Sequence, residues 1–448
     1  MSIQNRTAHT QPAGEVPPTA VIVVDLTFGD AGKGTMVDFL VRRHGARTVV
    51  RYNGGAQAGH NVVLPDGRHH TFSQFGSGTF VTDVRTHLSR FMLVHPLTMI
   101  SEEKHLHEIG IDDAFDRLTV DEDAIIITPF HQAANRLKEM NRGDGRHGSC
   151  GLGIAETASH AIDFPDDAVH ARDLTDRDVL VRKLEAIRLA KTREIRAIVD
   201  RLADDENARA EIDVLLSPET VDRVADQFVA FAQTVAIVPA TYLRDVLREE
   251  NHVVFEGAQG ILIDEWHGFH PFTTWSTITT EYAETLLREA GFNGRVEKIG
   301  VVRSYATRHG PGPFVTESAA LTESLPDPHN GTNAWQRNFR VGTFDLVATR
   351  YAIEATGGVD VLAVTHLDRH TSKTMCVAYA LADGSTIDRI PVSFDHDLDR
   401  QEKMTNALLT ATPIESPCPD FLAELESATG TPVRYVSHGP THLHKRVR

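Results

Sequence analysis

The sequence predicts an α/β protein built on a mainly parallel central sheet with helical insertions. Three observations carry this expectation. Five short runs rich in Val, Ile or Tyr recur along the chain, each is followed by polar residues with Gly among them in four of the five, and helical stretches lie between them. Runs that are apolar at every position suit strands buried on both faces, as in parallel sheets. Ligands of such sheets bind beyond the carboxyl ends of the strands. Glycine is common in turns, so one such junction alone would say nothing. Five of them carrying Lys, His, Asp and Gln point to one shared site.

In chain order, residues Met1 to Pro18 are polar and proline-containing, which predicts a disordered tail, with 19–448 as a single α/β unit. Val21–Val24 runs into Thr27-Phe28-Gly29-Asp30-Ala31-Gly32-Lys33-Gly34, and Thr35–Arg43 continues as a helix. Thr48–Tyr52 runs into Asn53-Gly54-Gly55-Ala56-Gln57-Ala58-Gly59-His60. Residues 170–250 predict a helical subdomain inserted between strands. There Leu180, Leu184 and Ile187 form one apolar stripe and Val221, Val224 and Phe228 the next, with Ser217-Pro218 as cap and first helical position. His252–Phe255 then runs into Glu256-Gly257-Ala258-Gln259-Gly260, Val361–Val364 into Thr365-His366-Leu367-Asp368, and Val433–Val436 into Ser437-His438-Gly439-Pro440. There is no internal repeat and no clear linker.

Composition narrows the function. The chain has 448 residues, 41% hydrophobic and 24% charged, and no apolar run approaches the length of a membrane span. Cys150, Cys376 and Cys418 lie far apart with no Cys-x-x-Cys pair, so a disulfide framework or zinc site is not expected and a reducing cytoplasm is. The net charge of −17 argues against a nucleic-acid-binding surface. It leaves room for a small anionic ligand in a local pocket.

Gly29-Asp30-Ala31-Gly32-Lys33-Gly34 has the letters of a phosphate loop of P-loop-like type. Glycines let successive N–H groups turn toward an anion, the helix that follows offers its positive end, and Lys33 adds a full charge. Walker A spacing is absent, and a glycine-rich turn with a surface lysine would carry the same letters. Asp30 says more. A carboxylate here repels a phosphate unless it holds a Mg²⁺ ion or takes a proton, or else simply caps the helix.

Taken together, the Gly-Asp-x-Gly-Lys-Gly loop, the Gly-Gly-x-x-Ala-Gly-His segment, Phe-Glu-Gly-Ala-Gln-Gly and the late Ser-x-Gly-Pro resemble the adenylosuccinate synthetase family, over residues 21 to 440. The resemblance implies a C–N ligase that phosphorylates O6 of IMP with GTP and then displaces the phosphate with L-aspartate. By the matching motifs it implies Asp30 as the base at N1, His60 as the acid, and Asp30 with the Gly59 carbonyl on Mg²⁺. It further implies Gly29, Gly32, Lys33 and Gly34 around the triphosphate, with Lys33 and Gln259 supporting the 6-phosphoryl group. Thr274 falls on the substrate's phosphate, Asp368 on the guanine edge, and Ser437 and Gly439 on the other wall of that pocket. A cytoplasmic homodimer is implied as well.

The departures are also specific. The guanine-pocket lysine is replaced by His366, which leaves GTP favoured through Asp368 and ATP open. Gln57 stands for an asparagine. Ser149 and Cys150 lie in the substrate-phosphate segment, with Cys150 in place of a threonine. The amine loop keeps Thr332, Asn333, Arg337 and Arg340, with Phe339 where another arginine is expected, and Arg308 and His309 are expected to border the same pocket. Arg337 is also expected to reach the purine nucleotide. This loop is similar to the archaeal and phage branch that joins aspartate to dGMP, yet Asp30 is retained, which keeps IMP ahead of dGMP. A paralogue with another nucleotide or amine, and a non-catalytic nucleotide-binding regulator, remain open at this point. The regulator would have no need of both Asp30 and His60.

Overall fold

The computed structural model describes residues 18–143, 149–202, 205–327, 339–369 and 373–448. Ten strands form the central sheet. They are β1 Thr19–Asp25, β2 Thr48–Arg51, β3 Arg85–Leu88, β4 Leu118–Asp121, β5 Ala236–Val238, β6 His252–Glu256, β7 Arg295–Arg303, β10 Val361–Thr365, β11 Val433–Ser437 and β12 Lys445–Val447. A separate antiparallel hairpin pairs β8 Ala306–His309 with β9 Phe339–Gly342. Across the central sheet the order is β12-β11-β10-β7-β1-β6-β2-β3-β4-β5. Every pairing is parallel except β11 with β12.

The five runs read from the sequence are β1, β2, β6, β10 and β11. They are mostly apolar because both faces are covered, with Arg51 in β2 and Arg434 in β11 among the exceptions. Val21, Val23, Val49, Val254, Ile299 and Val301 pack against Met36, Val37, Leu40 and Val41 of α1 (Lys33–His44). The alternate residues Ala20, Ile22, Val50, Val253 and Phe255 pack against Leu243, Val246, Leu286 and Leu287 on the other side. β7 is a sixth strand in the middle of this group. Glu297 and Lys298 interrupt its apolar pattern, and Glu297, buried, answers Arg295 and Arg434.

The inserted region is helical, with α-helices Arg177–Leu202, Glu206–Leu216, Glu219–Ala232 and Tyr242–Glu249. Leu180, Leu184, Ile187, Val221, Val224 and Phe228 join one core with Phe130 and Leu137. Pro218 already has helical angles (φ −60°, ψ −31°), so the proline starts its helix one residue ahead of the hydrogen-bonded part. Among the described residues no helix is long and apolar enough to cross a membrane.

Candidate active site

The loops that follow β1, β2 and β6 are pressed together. After β1 the chain turns through Gly29 (φ 109°), Asp30 (φ 61°) and Gly32 (φ 91°) into α1. A Cβ on Gly260 would stand 2.2 Å from Gly29 N and Thr27 O, so the loop after β6 lies directly on the loop after β1. A Cβ on Gly34 would meet His60 Cβ at 2.8 Å, which brings in the loop after β2.

Asp25 shapes the first loop. Its carboxylate accepts Thr27 N at 2.9 Å, Thr27 Oγ1 at 2.6 Å, Ala31 N at 3.0 Å and Lys33 Nζ at 2.9 Å. Lys33, 4% exposed, also donates to Gln259 O at 2.6 Å, so the lysine bridges two loops. The sequence reading gave Asp25 no role, because at the end of an apolar run it looks like any strand terminus.

Asp30 does not cap α1. Its Oδ2 is 2.9 Å from His309 Nδ1, and its main-chain oxygen accepts Arg303 Nη1 at 3.2 Å. Burial pushes this carboxyl up. The His309 hydrogen bond and the charges of His309, Arg303 and Lys33 outweigh that, so the net shift is downward and Asp30 is ionised near neutrality. His309 thus lies against Asp30, in β8, rather than only lining an amine pocket.

His60 is buried, with Nδ1 2.6 Å from Glu256 Oε1. Glu256 also accepts Ser77 N at 2.8 Å and the Ser77 hydroxyl, and faces Arg51. Burial lowers the imidazole more than Glu256 raises it. A carboxylate only accepts, so the ring proton is assigned to Nδ1, and Nε2 keeps a lone pair. That Nε2 is buried without a partner. Glu256 sat unremarked inside the Phe-Glu-Gly-Ala-Gln-Gly motif. Its contact with His60 spans 196 residues, which spacing does not reveal.

Gln259 (φ 63°) donates to Thr274 Oγ1 at 3.1 Å and leaves Oε1 buried and unpaired. Gln57 leaves both amide atoms buried and unpaired beside Gly54 and Gly55. Buried amides without partners fit a ligand-lined wall. Ser149 Oγ contacts Asn135 Nδ2 and Oδ1 at 3.1 and 3.2 Å, and burial pushes the Cys150 thiol up to about 11. Both precede Gly153, which starts the helix Ile154–Asp163.

The loops after β10 and β11 also pack on the loop after β1 and on α1. Thr365 Oγ1 donates to Ala31 O at 2.6 Å, and Thr35 Oγ1 to Pro440 O at 2.8 Å. His366 (φ 58°) has Nδ1 2.8 Å from Thr365 Oγ1, Asp368 is exposed, and buried Ser437 donates to Gly439 O at 3.0 Å. On the amine side, Thr332, Asn333 and Arg337 lie outside the described residues. Arg340 is engaged by Glu317 at 2.7 Å and by Gly310 O at 2.6 Å, while Arg308 is stacked 4.2 Å over Phe28.

Among the described residues no group of three His, Cys, Asp or Glu side chains could form a metal cage. The donors at hand, the Asp30 carboxylate and the exposed Gly59, suit a Mg²⁺ ion that takes most of its ligands from phosphate and water.

A family model described as adenylosuccinate synthetase matches residues 22–445. The adenylosuccinate synthetase of Chlorobium chlorochromatii (strain CaD3) is 31% identical over 440 residues, covering 94% of this chain and 96% of the relative. That of Mycobacterium avium (strain 104) is 29% identical over 437 residues, with 94% and 96% covered. Among solved structures, the fully ligated adenylosuccinate synthetase of Plasmodium falciparum matches with a TM-score of 0.72 at 19% identity, covering 96% of this chain and 99% of that one. Succinoaminodeoxyadenylate synthetase of cyanophage S-2L, bound to dGMP and to dATP as energy donor, matches with a TM-score of 0.58 at 16% identity, covering 97% and 96%. These two similarities bear on the fold. The family model and the curated relative span nearly the full length, and the chain belongs to the adenylosuccinate synthetase family of purine-nucleotide C–N ligases.

Proposed function

We propose that this protein transfers the γ-phosphoryl group of GTP to O6 of IMP and then displaces that phosphate with L-aspartate, giving adenylosuccinate, GDP and phosphate. An amide-like oxygen leaves poorly, and phosphorylation converts it into a good leaving group. Asp30, ionised, takes the N1 proton so that electron density moves to O6 for attack on phosphorus. His60 acts on the transferring group through Nε2. An arriving polyanion raises the proton affinity of that nitrogen, so the ring donates once it is protonated. Lys33 and the N-terminus of α1 offset phosphoryl charge, and Mg²⁺, held by Asp30 and the Gly59 carbonyl, supplies further charge neutralisation when bound. Gln259 and Thr274 hold the nucleotide, together with Gln57, Ser149, Cys150 and Arg337. Thr332, Asn333, Arg337 and Arg340 receive the amino acid. Asp368, His366, Ser437 and Gly439 hold the guanine.

The observation that carries this reading is the buried His60–Glu256 pair, its Nε2 unsatisfied, packed against the same loop that holds Lys33 and Asp30. A binding module has no use for an oriented imidazole beside a carboxylate base. The resemblance implies that the branch acting on dGMP tends to lose the carboxylate at this position, so its retention as Asp30 favours IMP over dGMP. The helical insertion as a subdomain of one α/β unit, and a cytoplasmic homodimer, complete the proposal.

The test is a phosphate-release assay with GTP or ATP, IMP or dGMP, and aspartate, with products identified by mass. Release that requires all three substrates and yields the aspartyl adduct is expected. Release without the amine would indicate a nucleotidase, and binding without turnover a regulator.

A further inference from the structure

In the hairpin of β8 and β9, His309 stands directly opposite Phe339. Their rings touch, with centroids 4.8 Å apart at 53°. The imidazole also meets Asp30, with Nδ1 2.9 Å from Oδ2. The main chain of Asp30 is held separately by Arg303 Nη1 at 3.2 Å, and Arg303 is itself fixed by Asp327 at 2.7 Å and Tyr305 Oη at 2.9 Å. Asp30 needs such support. It stands on a turn with φ 61°, a conformation unfavourable for a side-chain-bearing residue, and its carboxylate is 26% exposed. Left alone, that carboxylate would turn freely. Among the described residues, the hydrogen bond from His309 is the one made to it, and Oδ1 is left open.

We propose that His309 is a positioning residue for Asp30. Nδ1–H is donated to Oδ2, which sets the plane of the carboxylate and presents Oδ1 to the substrate, while Phe339 fixes the plane of the imidazole. This rests on the reading of Asp30 as the base. It also gives Phe339 a purpose: at a position where an arginine was expected, an aromatic ring steadies the ring that steadies the base. A guanidinium there would instead place a cation beside the imidazole.

The test compares His309→Leu, which keeps bulk against Phe339 and removes the donor, with His309→Asn, which returns a nitrogen donor near the place of Nδ1. Misplacing a reacting group by about 1 Å costs about 100-fold, so H309L is expected to lower kcat by about that factor. The nucleotide KM values should stay within about two-fold, and H309N should recover at least about ten-fold of the loss. A kcat in H309L near wild type, or an H309N as impaired as H309L, would overturn the proposal. The imidazole ¹⁵N resonances of the whole chain give a second readout, independent of turnover and of how H309L folds. Asp30→Asn is expected to move the His309 Nδ1 signal, assigned by its loss in H309N, and an unmoved signal would equally overturn the pairing. A wild-type chain that turns over none of the substrates, with that shift present, would count against the proposed reaction and not against this contact.

Discussion

Glu256→Gln isolates what the carboxylate behind His60 contributes. In the wild type, Oε1 lies 2.6 Å from His60 Nδ1 and also accepts the Ser77 hydroxyl, while Oε2 accepts Ser77 N at 2.8 Å. Three donors therefore meet a group that only accepts. Glutamine has one oxygen and one NH₂. Whichever way it turns, a donor faces a donor: Ser77 N–H in one orientation, His60 and the Ser77 hydroxyl in the other. The change also removes one of the two negative charges, Glu256 and Glu102, that face the fully buried Arg51, whose guanidinium bonds Phe75 O at 2.9 Å. Glu102 still faces Arg51, so the stability cost is chiefly that of a stranded donor, about 1–3 kcal/mol. The expected loss is therefore about 1–3 kcal/mol against a usual total of about 5–15 kcal/mol. Turnover should fall further than stability suggests. Without an ionised acceptor at Nδ1, the ring proton is free to move to Nε2, and removing an oriented acid–base group costs about 100-fold or more. Urea unfolding followed by circular dichroism gives the first quantity, and steady-state kinetics on the folded variant the second. A variant with wild-type kcat and a stability within about 0.5 kcal/mol of wild type would refute the reasoning.

Three further outcomes follow from single contacts. Asp30→Ala and His60→Ala should each abolish turnover while GTP binding, read by calorimetry, survives; a normal rate in either removes its proton-transfer role. Gly260→Ala drives a Cβ to 2.2 Å from Gly29 N and Thr27 O, backbone that cannot swing aside. It should cost about 1–3 kcal/mol by overpacking and pull the phosphate loop off Gln259, and an unchanged KM for GTP with unchanged stability would argue against that packing. Lys445, 5% exposed, is pulled by burial down to about 8, against Asp38 and Asp368. Its folded pKa is below the unfolded value, so between about pH 8 and 10 the unfolded chain binds more protons and stability rises with pH, by up to about 3 kcal/mol. Denaturant titrations across that range should show the rise in wild type and lose it in Lys445→Met, and parallel curves would contradict the assignment.

Much of the fold was legible because its central strands are buried on both faces. Such strands are apolar at most positions, and their loops are Gly-rich where backbones approach as closely as Gly260 and Gly29 do. β7 was missed because Glu297 and Lys298 break its apolar run, Glu297 answering Arg295 of the same strand and Arg434 of β11, and Lys298 answering Glu284. The site was legible as a set of loop residues and opaque as a set of contacts. Local motifs drew attention to Asp30, Lys33, His60 and Gln259. They gave no sign that Lys33 would be pinned by Asp25, that Glu256 would stand behind His60, or that His309 would reach Asp30 across 279 residues. Arg340 was expected to receive the amino acid, and nothing in its loop signalled that Glu317 and two main-chain oxygens would hold it. Contacts of this kind depend on strand order, which a periodicity does not encode.

The central claim is that O6 of the purine becomes the leaving group as a phosphate ester. IMP labelled with ¹⁸O at O6, supplied with GTP and aspartate, tests it most directly by mass spectrometry of the released phosphate. The label is expected in inorganic phosphate, one atom for each adduct formed. Unlabelled phosphate, with the ¹⁸O released to water or kept in the purine, would contradict it.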